Sequence, residues 1–171
     1  MDMASSRLLV VRHAKSAWPP GVPDRERPLG PRGQRDAPRM GRRIRELVGA
    51  LDLALISPTR RTQQTWELMN GELDHRGPVE IDTRIYDAWG ANMVDLVGQL
   101  PEQAQTVLVL GHEPGVSELV LSLCGPGNPD LRQRVATKFP TCAVAVLSAT
   151  QPWAALRPGH AELTTFTTPK D

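Results

Sequence analysis

Leu8-Leu9-Val10-Val11-Arg12-His13-Ala14-Lys15-Ser16 is the stretch on which the fold turns. Four consecutive apolar residues read as a short buried strand. A strand apolar on both faces belongs to a parallel sheet with helices on either side. Working outward, apolar runs alternate with segments of helical period. Ala37, Met40, Ile44, Leu47, Val48 and Leu51 recur at helix spacing, and residues 53–56 form a second strand. Thr62, Thr65, Trp66, Met69 and Leu73 mark another helix, residues 79–82 a weaker strand and 93–100 a short helix. Residues 107–110 are a buried strand, Val116, Leu119, Val120 and Leu123 a helix face closed by Gly125-Pro126-Gly127. Residues 143–147 and 162–166 add two strands, the last at an edge. The order predicts an α/β protein, a three-layer α/β/α sandwich around a mostly parallel mixed sheet.

The chain has 171 residues, close to the ~150 expected of one domain, so residues 1–171 read as a single unit. A domain of this size buries roughly 68–70% of its unfolded surface and folds without metal or disulfide. Twenty Lys and Arg against nineteen Asp and Glu leave a net charge of +1, and aromatics are 4%. That balance argues against nucleic acid and against an anionic membrane, although local patches remain open. The two cysteines, Cys124 and Cys142, lie in apolar stretches and read as reduced, buried thiols. The longest apolar run, residues 142–147, is far short of a membrane span, and the four apolar residues before Arg12 are too few for a signal peptide. The expectation is a soluble, cytoplasmic protein.

In open α/β sheets, ligands bind beyond the carboxyl ends of the strands. Arg12-His13 and Ser16 follow the first strand there, and Ser57-Pro58-Thr59-Arg60-Arg61 the second. Arg84-Ile85-Tyr86-Asp87 follow the third, and Gly111-His112-Glu113-Pro114 the fourth. Two histidines, several arginines and a carboxylate on one edge make an anion site, because guanidinium forks match phosphate oxygens. Ser57-Pro58 reads as an N-cap and first-turn proline that aims a helix N-terminus at the same edge. Arg60 reads as a solvated residue, and His75 and His160 as surface residues. Asp87 could equally cap the helix at Met93 or pair with Arg84. His13, His112 and Asp87 could instead be a two-histidine, one-carboxylate metal triad, but Arg12 and Arg61 would crowd the cation with positive charge. No metal or other cofactor is expected.

Residues 19–32 break the pattern. Five prolines (19, 20, 23, 28 and 31) and two glycines (21 and 30) exclude a helix or a central strand. A long structureless loop carrying Arg25, Arg27 and Arg32 is expected there. It is a candidate for substrate choice, or simply solvated surface.

Arg12-His13 after a first strand, Ser57-Pro58-x-x-Arg61-x-x-Gln64-Thr65 and Gly111-His112-Glu113-Pro114 resemble, in order, the blocks of the histidine phosphatase superfamily, which includes the phosphoglycerate mutases. Arg27-Pro28-Leu29, Arg32-Gly33-x-Arg35-Asp36-Ala37 and Phe139-Pro140-Thr141 are most similar to the short SixA-like phosphohistidine phosphatases. The likeness spans residues 8–148. It implies a metal-independent phosphatase in which His13 becomes phosphorylated. Arg12, Arg61 and a protonated His112 would hold the phosphoryl oxygens, and Asp87 would serve as acid and base. The mutase-like pattern has asparagine three residues after the serine. Here Pro19 follows Ser16-Ala17-Trp18, and there is no room for the insertions that cap small-molecule members. That favours an open site for a protein-borne phosphate, with Ser16, Arg25 and Arg27 as candidate substrate contacts. The implied partner is a histidine phosphotransfer domain. The alternatives are a small metabolite or nucleotide ester as substrate, or a non-catalytic phosphate-binding module.

Overall fold

The computed structural model describes residues 4–171. The strands are β1 (Ser6–Arg12), β2 (Ala50–Leu51), β3 (Leu53–Ile56), β4 (Asp74–His75), β5 (Val79–Ile81), β6 (Thr106–Gly111), β7 (Val144–Ala149) and β8 (Glu162–Thr167). The helices are α1 (Pro31–Val48), α2 (Arg60–Asn70), α3 (Gly90–Gly98), α4 (Gly115–Leu123) and α5 (Pro129–Thr137). Six strands form one sheet in the order β5-β3-β6-β1-β7-β8, while β2 and β4 pair separately. β1 is parallel to β6 and antiparallel to β7, and β7 is antiparallel to β8, so β7 runs against the other five. This is the expected α/β fold with a mostly parallel mixed sheet.

The period of two in β1 sorts the core into two layers. Leu8 and Val10 pack with Met93, Leu96, Leu119 and Val120 of α3 and α4. Leu9 and Val11 pack with Ala37, Met40 and Ile44 of α1 and with Trp66 and Met69 of α2. Burying each large apolar side chain contributes about 1.5–3 kcal/mol, so each face of the central strand is tied to a pair of helices.

Several sequence expectations shift. Leu51 leaves α1 for β2, because Gly49 adopts a positive φ of 72° and ends the helix. The segment after Pro19 is not structureless. Asp24–Glu26 make a turn of 3-10 helix, Ser16 bridges Leu29, and α1 already begins at Pro31. α5 is an addition whose signal was Asn128-Pro129, cap and first-turn proline; Asn128 accepts from the Leu131 amide. Gly33 is required where it stands. A Cβ there would lie 2.2 Å from the Lys15 carbonyl oxygen, so only glycine lets α1 cross the chain leaving β1.

Candidate active site

β1 lies between β6 and β7 and delivers Arg12 and His13 to the carboxyl edge of the sheet. The His13 amide donates to the Gly111 carbonyl of β6 at 3.1 Å. The Cys142 amide donates to the His13 carbonyl at 3.0 Å and to that of Arg12 at 3.1 Å. On the α2 side, the Ala14 amide donates to Thr65 Oγ1 at 3.0 Å, and Gln64 Oε1 accepts from the Leu29 amide at 2.8 Å. The Gln64-Thr65 pair thus fastens the segment after His13 and the far end of the following loop to one helix.

His13 is 7% exposed, and its Nδ1 lies 2.8 Å from the Ala14 carbonyl oxygen. A carbonyl only accepts, so the proton sits on Nδ1 and the Nε2 lone pair is free. Burial lowers the His13 pKa to about 4; the Ala14 bond opposes this, and Arg61, Arg12 and Arg27 add to it. The ring is neutral at pH 7. The His112 ring lies 5.2 Å away, centroid to centroid. Arg61 Nη2, which can only donate, reaches His112 Nδ1 at 3.4 Å. His112 therefore carries its proton on Nε2 and donates to Ser57 Oγ at 2.7 Å. Burial, with His13 and Arg61 close by, lowers the His112 pKa to about 3. His112 is thus a neutral ring at pH 7, whereas the resemblance implies a protonated one when it holds phosphoryl oxygens.

Arg12 donates to the Phe139 carbonyl at 2.9 Å. Arg61 donates to the backbone oxygen of Asp24 at 2.7 Å and to its Oδ2 at 3.1 Å. The Nε of each guanidinium is buried without a partner. A buried donor left unpaired costs about 1–3 kcal/mol, more when charged, and an anion beside these arginines would satisfy both.

The structure redistributes the other expected residues. Asp87 is exposed and takes no part in the hydrogen bonds around the histidines, and Arg84 is paired with Asp82. The carboxylate at the site is Asp24, from the loop. Its Oδ2 accepts from the Tyr86 hydroxyl at 2.6 Å and from Arg61, and its Oδ1 accepts from Arg27 at 3.1 Å. Those donors, Tyr86 foremost, lower its pKa to about 2, against a smaller opposing effect of burial. Ser57 is not the N-cap of α2; Thr59 is, accepting from the Thr62 amide. Arg27 is buried, bonded to Ser16 Oγ at 2.9 Å and stacked 3.5 Å from the Trp18 ring. Ser16 and Arg27 therefore hold the loop, while Arg25 is exposed over Tyr86. Arg60 and His160 are exposed as expected, but His75 is half-buried against Trp66. Among the described residues, no three His, Cys, Asp or Glu side chains gather as metal ligands, so the His13, His112 and Asp87 triad is not assembled.

A mixed α/β sheet with two neutral histidines and two arginines whose buried Nε–H groups lack partners at its carboxyl edge has the chemistry of an anion site. A family model for the histidine phosphatase superfamily (branch 1) matches residues 8–92. An uncharacterized protein of Mycobacterium tuberculosis is 36% identical over 165 residues, covering 94% of this chain and 100% of that one. The chain belongs to the histidine phosphatase superfamily. Among solved structures, a candidate phosphohistidine phosphatase SixA of Nakamurella multipartitia superposes with a TM-score of 0.82 at 28% identity, covering 96% of each chain. A similarly described protein of Agrobacterium tumefaciens gives 0.76 at 25% identity, covering 96% of this chain and 98% of its own. No helix among the described residues is long and apolar enough to cross a membrane.

Proposed function

We propose that this chain is a phosphatase that acts through a phosphohistidine on His13, and that its substrate is phosphohistidine on a protein. One observation carries the choice of substrate. The carboxylate at Arg61, Asp24, has a pKa of about 2 and is ionised at any working pH. It has no proton to give an alkoxide leaving group. Phosphohistidine needs none: protonated on its free ring nitrogen, it departs as neutral imidazole. The SixA-type descriptions of the Nakamurella and Agrobacterium structures point the same way.

In this scheme His13 Nε2 attacks phosphorus in line. The Nε2–P bond forms as the substrate P–N bond breaks, and the leaving ring nitrogen keeps the electron pair. The Nε–H groups of Arg12 and Arg61 hold the equatorial oxygens, each such bond contributing about 1.5–3 kcal/mol. The incoming dianion raises the pKa of His112, which takes up a proton from solvent and donates to a phosphoryl oxygen as an imidazolium. Water next attacks phosphorus, the Nε2–P bond breaks, and the proton released by water ends on inorganic phosphate.

The test is competitive turnover of a phosphohistidine-bearing phosphotransfer domain against a panel of small phosphate esters, with His13→Ala alongside. A large kcat/KM advantage for the protein, lost in the variant, is the expected result. Preference for one small ester overturns the substrate assignment, and no turnover of anything leaves a phosphate-binding module.

A further inference from the structure

α1 carries six arginines, Arg32, Arg35, Arg39, Arg42, Arg43 and Arg45, against Asp36 and Glu46. That surplus of four sits in a chain whose net charge is +1, so the rest of the molecule is net negative. All six arginines are exposed. Arg35, Arg39 and Arg43 follow at i, i+4 and i+8, one like-charged row along the helix surface. None of these three is in an ion pair among the described residues, whereas Arg42 is paired with Glu72 at 2.9 Å. Such a row repels itself and weakens the helix; a negative surface laid against it removes the repulsion.

The row is continuous with the catalytic edge. Where α1 begins, the Gly30 amide donates to the Lys15 carbonyl at 2.9 Å, two residues after His13. Arg32 Nη2 donates to Thr141 Oγ1 at 3.4 Å, and Thr141 precedes the Cys142 amide that binds the carbonyls of Arg12 and His13. Beside this contact a cavity of about 390 Å³ is lined by Arg32, Lys138, Lys170 and Thr141, with Asp36 its one carboxylate. A second of about 350 Å³ lies further along α1, against Arg39, Arg42 and Arg43, with Glu46 and Asp171 as its carboxylates. Thr168 and Pro169 line both.

We propose that the outer face of α1, from Arg32 to Arg43, together with Lys138 and Lys170, is the docking surface for an acidic face of the phosphoprotein. The proposal rests on the protein-phosphohistidine reading above and adds how that substrate is chosen. An acidic protein rather than nucleic acid fits, because Asp36, Glu46, Glu72 and Asp171 interrupt the cations. A protein face can meet those interruptions with its own lysines, and a continuous phosphate backbone cannot.

The test uses three peptides of about 20 residues with one central phosphohistidine, flanked by glutamates, by serines or by lysines, with p-nitrophenyl phosphate as a small ester. The proteins are the full chain and two variants, Arg35→Glu/Arg39→Glu/Arg43→Glu and the same three positions changed to Gln. At low salt the wild-type protein turns over the glutamate-flanked peptide with kcat/KM at least tenfold above the serine-flanked one. The Gln variant loses that preference, the Glu variant reverses it, and p-nitrophenyl phosphate turnover is unchanged in both. A preference that survives in the Glu variant, or is absent from the wild type, overturns the proposal. Binding of the unphosphorylated glutamate peptide, followed by fluorescence anisotropy, separates the two readings. If no phosphohistidine peptide is hydrolysed, the substrate reading fails, while docking still stands or falls on the binding difference between wild type and variants. Tighter binding of a duplex DNA than of the acidic peptide overturns the choice of partner.

Discussion

If His13 is the nucleophile in the environment described, it titrates far below an ordinary histidine, and both activity and stability report it. The perturbation is a fall in pH from 7 to 4. Its ordinary pKa of 6.5 is lowered to about 4, chiefly by burial. At pH 5 such a ring is still roughly 90% neutral, against roughly 3% for an unshifted one. The enzyme-side limb of kcat/KM, after allowance for the substrate's own ionisation, therefore stays nearly flat to pH 5 and falls around pH 4. Stability moves in the same window. The folded pKa is lowered, so between pH 6.5 and 4 the unfolded chain binds more protons than the native one, and stability falls as pH falls. From 6.5 to about 4, at about 1.36 kcal/mol per pH unit, the loss is roughly 3 kcal/mol, complete near pH 4. Urea unfolding from pH 7 to 4 measures it as the difference between wild type and His13→Ala, which has no ring to protonate at position 13. An NMR titration of the ring resonance missing from His13→Ala gives the midpoint directly. A midpoint at or above 6, with the two proteins losing stability in parallel, would refute the reasoning.

His13→Ala abolishes turnover in a steady-state assay, and EDTA leaves wild-type turnover intact; loss of activity that zinc or iron restores revives a metal mechanism. Asp24→Asn removes the charge facing Arg61 and Arg27 and lowers kcat/KM roughly tenfold, the weak end for a charge-assisted bond because the carboxylate is half-exposed. A rise instead would mean that Asp24 competes with the phosphoryl group for Arg61. Arg27→Ala strips the loop of its Asp24 and Ser16 bonds and impairs protein and small-ester substrates alike, whereas Arg25→Ala, removing one exposed stacking contact, changes small-ester turnover no more than about twofold, what a contact worth about 0.5 kcal/mol allows. Gly33→Ala drives a Cβ into the Lys15 backbone, costs about 1–3 kcal/mol and lowers Tm by roughly 5 °C in calorimetry.

What could be read in the sequence was local. Arg12 and His13 announce themselves because an apolar strand stops on them, and Arg61 and His112 because each follows another strand within a few residues. Asp24 was hidden because its place depends on a fold-back: it meets Arg61 across 37 residues and Tyr86 across 62. No periodicity encodes such a contact, although a carboxylate immediately before Arg25 in a proline-rich loop that follows the first strand was a usable hint. Asp87 was placed at the edge by counting from a strand, but the chain turns through Thr83–Ile85 and aims Tyr86 inward instead. Ser57 misled because Ser-Pro is a good cap signal and Thr59, two residues on, is a better-placed one. Arg27 looked like a substrate contact because an arginine in a loop usually points to water, and only packing against Trp18 reveals that this one is structural.

The strand that carries His13 is hydrogen-bonded along its whole length on both sides, to β6 and to β7. Its amides are therefore among the last in the molecule to exchange with deuterium, released only by global unfolding. The Asp24 loop, held by side-chain bonds and one isolated bridge, belongs to a unit that can open separately. Warming should then uncouple substrate handling from structure in a fixed order. The loop's protection goes first and the nucleophile's last, so a heated sample passes through a state whose site is open but still correctly built.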